Sequence, residues 1–298
     1  MLGEKRAAIA GVTGFIGRGL PALLAQQQIR TTGISRAAKQ PSPEIDRWQS
    51  YDSLDFAHHF AVINLAGAPV DKRWTRSYRQ KIIDSRVGTT RQIVAAIARL
   101  PANQRPAVLI NGSATGYYGN RADELLSESA NCGDDFLANV CSEWEAAALE
   151  AETLGVRVVL LRIGVVLGKE GPAFKKLRLA LGTGLGGRLG SGQQWVPWIH
   201  LDDLRRAIVY TVTEADISGP VNGTAPHPER NAEMTKKFAN ALHRPAIFPV
   251  PGFALQLALG GFASALLGSQ KAVPSALIKA GFEFEFQDLE SALSDLIG

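Results

Sequence analysis

Two rhythms of apolar and polar residues run through the first half of the chain. The short apolar run Ala7 to Ala10 and the segments Ile29 to Ser35 and Ala61 to Gly67 read as parallel strands, the last of them buried and ending in small residues. Between them, apolar residues recur at helical spacing, as in Leu20, Leu23 and Leu24, and later in Ile82, Ile83, Val87, Thr90, Val94 and Ile97. Alternating strands and helices predict an α/β fold, a doubly wound parallel sheet. Pro41 to Phe60 carries too weak a pattern to place a third strand, and the stretch from Ala68 to Ile97 reads as one long helix.

The junction of the first strand and first helix is Gly11-Val12-Thr13-Gly14-Phe15-Ile16-Gly17. Glycine serves the turn at position 11, lets backbone approach a pyrophosphate at 14, and lets helix pack on strand at 17. The phosphates would face the positive end of the helix that follows. Gly11, Thr13, Gly14, Phe15, Ile16 and Gly17 are therefore candidate cofactor contacts, although an ordinary tight strand-to-helix turn has the same look. At the end of the second strand an acidic residue would bind a ribose hydroxyl and repel a 2′-phosphate. Ser35-Arg36 stands there instead, with Lys39 behind it, so NADP (as NADPH) is favoured over NAD unless Arg36 is only a solvated loop residue. The run that ends in Asn64-Leu65-Ala66-Gly67 offers small residues where backbone must approach something flat.

The formal net charge is +4 over 298 residues, with basic residues scattered, which suits a phosphate-bearing ligand and does not suggest a nucleic-acid partner. Two cysteines, Cys132 and Cys141, with no C-x-x-C and no histidine cluster at ligand spacing, predict neither a disulfide framework nor a metal site. The first strand begins within about six residues of the start, without an apolar signal segment, so a cytoplasmic location is expected. No charge occurs between Arg244 and Lys271, yet prolines, glycines and polar residues interrupt that stretch. It is expected to be a buried helix from Phe253 to Leu267, with no membrane span and with a possible homodimer surface.

The spacing G-x-x-G-x-x-G resembles the short-chain dehydrogenase/reductase superfamily, and TGFIG resembles its extended, epimerase-like branch. Several further blocks, NLAGAPVDKRW…DSRVGTT, AVLINGSATGYYG, FLANVCSEWEA, VRVVLLRIGVVLG, WVPWIHLDD and VPSALIKAGFEFEF, resemble the YfcH-like epimerase family, an atypical group within that branch. The resemblance implies a Rossmann domain over residues 1–168. Residues 169–298 would form mainly a smaller C-terminal substrate subdomain, with some segments returning to the first. It also implies that the Asn64 to Gly67 segment passes under an adenine ring.

The superfamily's catalysis rests on a Tyr and a Lys four residues later, the Lys lowering the phenol's pKa. On the register of the resemblance those two places hold Cys141 and Glu145. Cys141 is either a reactive thiol or a small buried side chain, and Glu145 would discourage a neighbouring anion. The remaining candidates for catalysis are Ser113, which resembles the superfamily's Ser, and Tyr117 or Tyr118, which either replace the acid/base or pack as rings over the ligand. Arg162 ends an apolar strand and, if buried, needs an anionic or carbonyl partner; it is a candidate cofactor contact. The glycine-rich loop from Gly182 to His200 suggests a mobile lid carrying Gln194, Trp195 and Trp198, and Asp202 suggests a helix N-cap. The function expected is an NADP-binding oxidoreductase or epimerase acting on an unidentified small molecule. The alternative is a catalytically silent NADP-binding regulatory or scaffold protein.

Overall fold

The computed structural model describes residues 4–37, 39–184 and 186–298. Its main sheet contains β1 (Lys5–Ala10), β2 (Ile29–Ile34), β3 (Arg47–Gln49), β4 (Ala61–Asn64), β5 (Val108–Ala114), β7 (Arg157–Ile163) and β11 (Gly219–Gly223). All pairings are parallel, in the spatial order β11-β7-β5-β4-β1-β2-β3. Strand order reverses beside β1, so a crevice opens at the carboxyl ends of β1 and β4, where ligands of such sheets bind. Three small ladders lie outside this sheet. They join β6 (Leu125–Leu126) to β13 (Lys271–Ala272), β8 (Val165–Leu167) to β10 (Trp198–His200), and β9 (Trp195–Val196) to β12 (Glu229–Arg230).

Side chains alternate across the sheet and meet a different layer on each face. Ala7, Ile9, Val159 and Leu161 pack on α1 (Leu20–Gln26) and α6 (Leu201–Thr213). Ala8, Ala10, Val158 and Leu160 pack on α3 (Thr89–Ala98), with Ala148 of α4 (Phe136–Leu149) completing that layer. A third core lies beyond the sheet, where Phe174 of α5 (Pro172–Gly182), Met234 and Phe238 of α7 (Asn231–Ala241) and Leu293 of α11 (Leu289–Ile297) surround the buried Trp198. The main sheet thus draws α6 and β11 from beyond residue 168.

Several elements depart from the sequence pattern for identifiable reasons. The unplaced third strand is a three-residue edge strand, β3, without a buried side to give it a pattern. The expected long helix is α2 (Arg76–Ile83), a π turn over Asp84–Gly88, and then α3; it starts at Thr75, whose side chain accepts from the Tyr78 N–H. The apolar run after Val156 is cut at Gly164, where a Cβ would sit 2.6 Å from the Pro197 carbonyl oxygen. The uncharged C-terminal stretch forms two short helices, α8 (Gly252–Leu259) and α9 (Phe262–Leu267), separated at Gly260 with φ +57°. Among the described residues no helix is long and apolar enough to cross a membrane. The tail after α10 (Ser275–Lys279) packs Phe282 and Phe284 into the core against α6.

The start of α6 corrects the expected cap. His200 is the N-cap, its Nδ1 accepting from the Asp202 N–H at 3.2 Å, while Asp202 pairs with Arg205 in the first turn. The structural carboxylate is Asp203, which is fully buried and accepts the N–H groups of Glu285 (3.0 Å) and Phe286 (2.9 Å) while pairing with Arg206. It ties the C-terminal tail to the helix. Asp203→Ala leaves two part-buried N–H groups without that acceptor and is expected to lower the free energy of unfolding by roughly 1–3 kcal/mol. Urea unfolding checks this, and an unchanged midpoint would remove the tether from the account.

Candidate functional site

The glycine turn lies at the sheet's reversal point and is held from both sides. Gly11 has φ +85°, and a Cβ there would come 2.9 Å from the backbone of Leu65, so the ends of β1 and β4 touch. A Cβ on Gly17 would collide with the Gly11 carbonyl oxygen at 2.3 Å. These two glycines are demanded by the fold itself. Gly14 differs: it is exposed, and a Cβ there would meet only the Gly11 oxygen, at 3.1 Å. Thr13 is also exposed.

The outer side of the turn is gripped by α6. Arg205 donates from Nε to the Ile16 carbonyl (3.0 Å) and from Nη2 to the Phe15 carbonyl (2.9 Å). The Phe15 ring fills the space that a side chain on Gly168 or Gly171 would need, since a Cβ would lie 2.9 Å from its Cζ at the first and 2.5 Å at the second. Sequence reasoning missed Arg205, because an Arg on an amphipathic helix carries no signal of its target 189 residues away.

At the end of β2 the Ser35 N–H bonds the Gln49 carbonyl (3.0 Å), and the Ser35 hydroxyl accepts from the Ala37 N–H (3.3 Å). Arg36 is exposed at this edge. Burial raises the pKa of nearby Tyr51, and the charge of Arg36 opposes that rise. Trp48 covers Gly33, with the Lys39 ammonium 5.6 Å from its ring centre. The structure thus assembles two cations and two aromatic rings around the end of β2.

At the end of β4, Asn64 is wholly buried; it donates to Thr90 Oγ (2.9 Å) and Asn111 Oδ1 (2.8 Å) and accepts from the Ala66 N–H (3.3 Å). It shapes the segment from within, leaving Leu65 and Ala66 half-buried and Gly67 exposed.

The helix expected to carry catalysis is α4, capped by Asp135, which accepts from the Ala138 N–H. Its Glu145 is buried and meets the guanidinium of Arg162 in two parallel bonds of 2.9 Å. Ser113 Oγ donates to the same carboxylate at 2.6 Å. Arg162 Nη1 reaches the Tyr118 hydroxyl and the Glu128 carbonyl, both at 3.1 Å, and that hydroxyl donates to Asn222 Oδ1 at 2.7 Å. Burial works against the charge on Arg162, but the bonds and charge of Glu145 overcome it, so its pKa is raised. Arg162 therefore has the anionic partner its burial demands, inside the protein. Its guanidinium is used up by Glu145, Tyr118 and Glu128 rather than turned to a cofactor.

The sequence-predicted chemical residues separate accordingly. Tyr118 is fully buried with its hydroxyl occupied, which makes it a member of the internal network and corrects its candidacy as acid/base. Ser113 donates its one hydroxyl hydrogen bond to Glu145 and is left able only to accept from a ligand. Tyr117 is half-buried, its ring stacked 3.5 Å from the Arg162 guanidinium. Burial raises its pKa, only partly countered by Arg162, so the phenol stays protonated at neutral pH and can serve as a donor. Cys141 is buried, and desolvation together with the Glu145 charge pushes its pKa up to about 12; it is a small core side chain and no nucleophile.

The expected lid is pinned. Trp198 is fully buried and donates to the His227 carbonyl at 2.9 Å; Gln194 is buried and bonds the Leu189 carbonyl at 3.1 Å. Trp195 donates to Asp123 (2.7 Å), and the Arg230 and Lys271 cations lie 4.6 and 4.5 Å from its ring centre. Glycine richness here serves close backbone contacts, as at Gly187, where a Cβ would sit 2.3 Å from the Phe248 carbonyl oxygen. Among the described residues no group of three or more His, Cys, Asp or Glu is placed to hold a metal.

Known proteins agree with this architecture. The chain is 41% identical to epimerase family protein Mb2239 of Mycobacterium bovis, over 96% of this chain and 95% of that one. It is 39% identical to the chloroplastic SDR39U1 homolog of Arabidopsis thaliana, another epimerase family protein, over 97% and 86% respectively. The crystal structure of human epimerase family protein SDR39U1 (isoform 2) with NADPH matches with a TM-score of 0.90 at 33% identity, covering 98% of this chain and 99% of that one. Residues 250–296 match a domain of unknown function, DUF1731. Residues 7–222 match the NAD dependent epimerase/dehydratase family, to which this chain belongs.

Proposed function

We propose that the protein binds NADP and works as an oxidoreductase or epimerase on a small molecule, as an atypical member of the extended short-chain dehydrogenases and akin to the YfcH-like group. The observation that carries the cofactor is the combination of Gly14, open on the ligand side of a turn otherwise fixed by Gly11, Gly17 and Arg205, with Arg36 exposed at the end of β2. NADPH in the human relative supports it. The residues that would hold the cofactor are the turn from Gly11 to Gly17, Ser35 and Arg36, and Leu65 to Gly67. Bound there, the cofactor supplies the hydride. Tyr117 supplies a proton donor and Ser113 an acceptor at the end of β5. Both cysteines are unpaired, which fits a reducing compartment such as the cytoplasm.

A second reading follows from Glu145 and Arg162. Glu145, at the superfamily's Lys position, is closed in an ion pair with Arg162, and Cys141 stands at the Tyr position, an arrangement that a silent NADP-binding regulatory or scaffold protein would permit.

Calorimetry tests the cofactor. Arg36→Ala should weaken NADPH about ten- to a hundredfold and leave NADH nearly unchanged; equal losses would refute the assignment. Gly14→Val should keep its circular dichroism yet lose dinucleotide binding, because the fold leaves nearly enough room for a side chain while a pyrophosphate would not. Hydride exchange between NADPH and a metabolite library tests the chemistry. Tyr117→Phe should lower turnover by ~10²–10⁴. Tyr118→Phe should instead cost about 1–3 kcal/mol of stability, since Asn222 and Arg162 lose a buried partner. If no metabolite exchanges hydride with the wild type, the silent reading takes precedence.

A further inference from the structure

One cation beside the cleft has no part in the network of Glu145 and Arg162. Arg86 stands in the π turn between α2 and α3, a local distortion that often marks functional sites. Its guanidinium lies against Gly67, where a Cβ would be 3.1 Å from Arg86 Cζ, and 5.3 Å from the centre of the Trp144 ring. Nη1 donates to the carbonyls of Ala68 (3.0 Å) and Ile82 (3.4 Å). Those bonds and the Trp144 ring fix the plane of the group while occupying one of its three nitrogens. Ser85, one residue earlier, braces the same place, accepting from the Ala68 N–H at 2.9 Å and donating to the Ile82 carbonyl at 3.1 Å.

What Arg86 lacks is an anion. Among the described residues the titratable groups that bear on it are Cys141 and Tyr78, and neither is a carboxylate. Burial lowers its pKa, but a guanidinium remains cationic in a protein. A half-buried guanidinium whose company is two backbone carbonyls and an aromatic ring keeps donors that a ligand's anionic group can complete. Its position says which part of a ligand would do so. Gly67 ends the segment expected to run beneath the cofactor, and Cys141 occupies the superfamily's Tyr position at the reacting end. The cofactor's own phosphates are already provided for at the glycine turn and at Arg36.

We propose that Arg86 is an anion subsite for the substrate, its free nitrogens gripping a carboxylate or phosphate group on the small molecule that reacts beside the nicotinamide. A planar fork of donors matches either group in two parallel bonds. The substrate is accordingly an acid or a phosphate ester, with its anionic group close to the reacting carbon. This rests on the NADP-dependent reading of the same cleft.

The test uses the full chain loaded with NADPH and titrated separately with malonate and with inorganic phosphate, following the thermal midpoint and cofactor fluorescence. Wild type should respond to at least one anion, and the stronger response identifies the group. Arg86→Gln, which keeps a donor for the two carbonyls, should weaken that response about ten- to a hundredfold while NADPH affinity is maintained. Arg86→Lys should show a smaller loss, keeping the charge without the fork. No response in wild type, or an equal response in Arg86→Gln, overturns the proposal. Should Arg86→Gln fail to fold, Arg86→Lys decides, and a response unchanged from wild type refutes the fork. Should wild type not bind NADPH, the cofactor reading falls, and the same titration of unloaded protein still judges Arg86.

Discussion

The buried pair of Glu145 and Arg162 is the constraint around which the carboxyl ends of β5 and β7 are arranged. Two charges withdrawn from water are tolerated only when their geometry is good and their remaining lone pairs and protons are satisfied. Both conditions hold. The bidentate bonds use Arg162 Nε and Nη2, Ser113 adds a third bond to the carboxylate, and the last nitrogen reaches Tyr118 and the Glu128 carbonyl. The pair connects α4, β5, β7 and the loop before β6, and through Asn222 it reaches β11. Asn222 in turn donates to the carbonyls of Leu126 and Val273, drawing in the ladder of β6 and β13. Removing one partner from such a pair typically costs about 3–5 kcal/mol, because the other charge is stranded. The polar residues at the end of β5 are thus recruited first by the structure, and only what the network leaves over is free for chemistry.

Much of the frame could be read from the sequence because its cause is local. The strands β1, β4, β5 and β7 are largely apolar segments buried on both faces, which removes any need for alternation, and the glycine turn carries its geometry in its spacing. Where the cause is not local the sequence is silent. Trp198 in the glycine-rich loop resembles a lid residue until α5, α7 and α11 are seen to surround it. Asp202 and Asp203 are adjacent and chemically identical. Only the tail arriving from residue 285 makes the second of them the buried acceptor. The need of Arg162 for a partner was foreseeable from its apolar strand, and Glu145 was visible as an oddity. Each explains the other, but 17 positions of chain separate them.

The division of the chain into a cofactor half and a substrate half is likewise incomplete in physical terms. Arg205 reaches from α6 to hold the carbonyls of Phe15 and Ile16, and Phe15 packs onto the turn at Gly168 and Gly171. Burial lowers the pKa of Arg205, and Asp202 in the same helical turn offsets that cost. A ligand that tightened the glycine turn would therefore bear on α6, and through Asp203 on the C-terminal tail, without a separate hinge. The two halves share one rigid junction.

Electrostatics explains why the absence of the superfamily's Lys need not leave the cleft without a positive charge. In the usual arrangement one ammonium on the helix serves both to steady the fold and to bias a phenol. Here Arg162 has the structural share, held in a closed pair whose net charge is zero, so its field at the reacting end is largely cancelled. Tyr117, stacked on that guanidinium, gains little from it, and burial keeps its phenol protonated. A charge without a carboxylate partner sits instead at Arg86, fixed by Trp144 and two carbonyls and felt by Cys141. Once Glu145 takes the Lys position, a phenolate base is no longer supported by a neighbouring cation. What the remaining groups offer is a neutral phenol at Tyr117, able to donate, and a cation at Arg86.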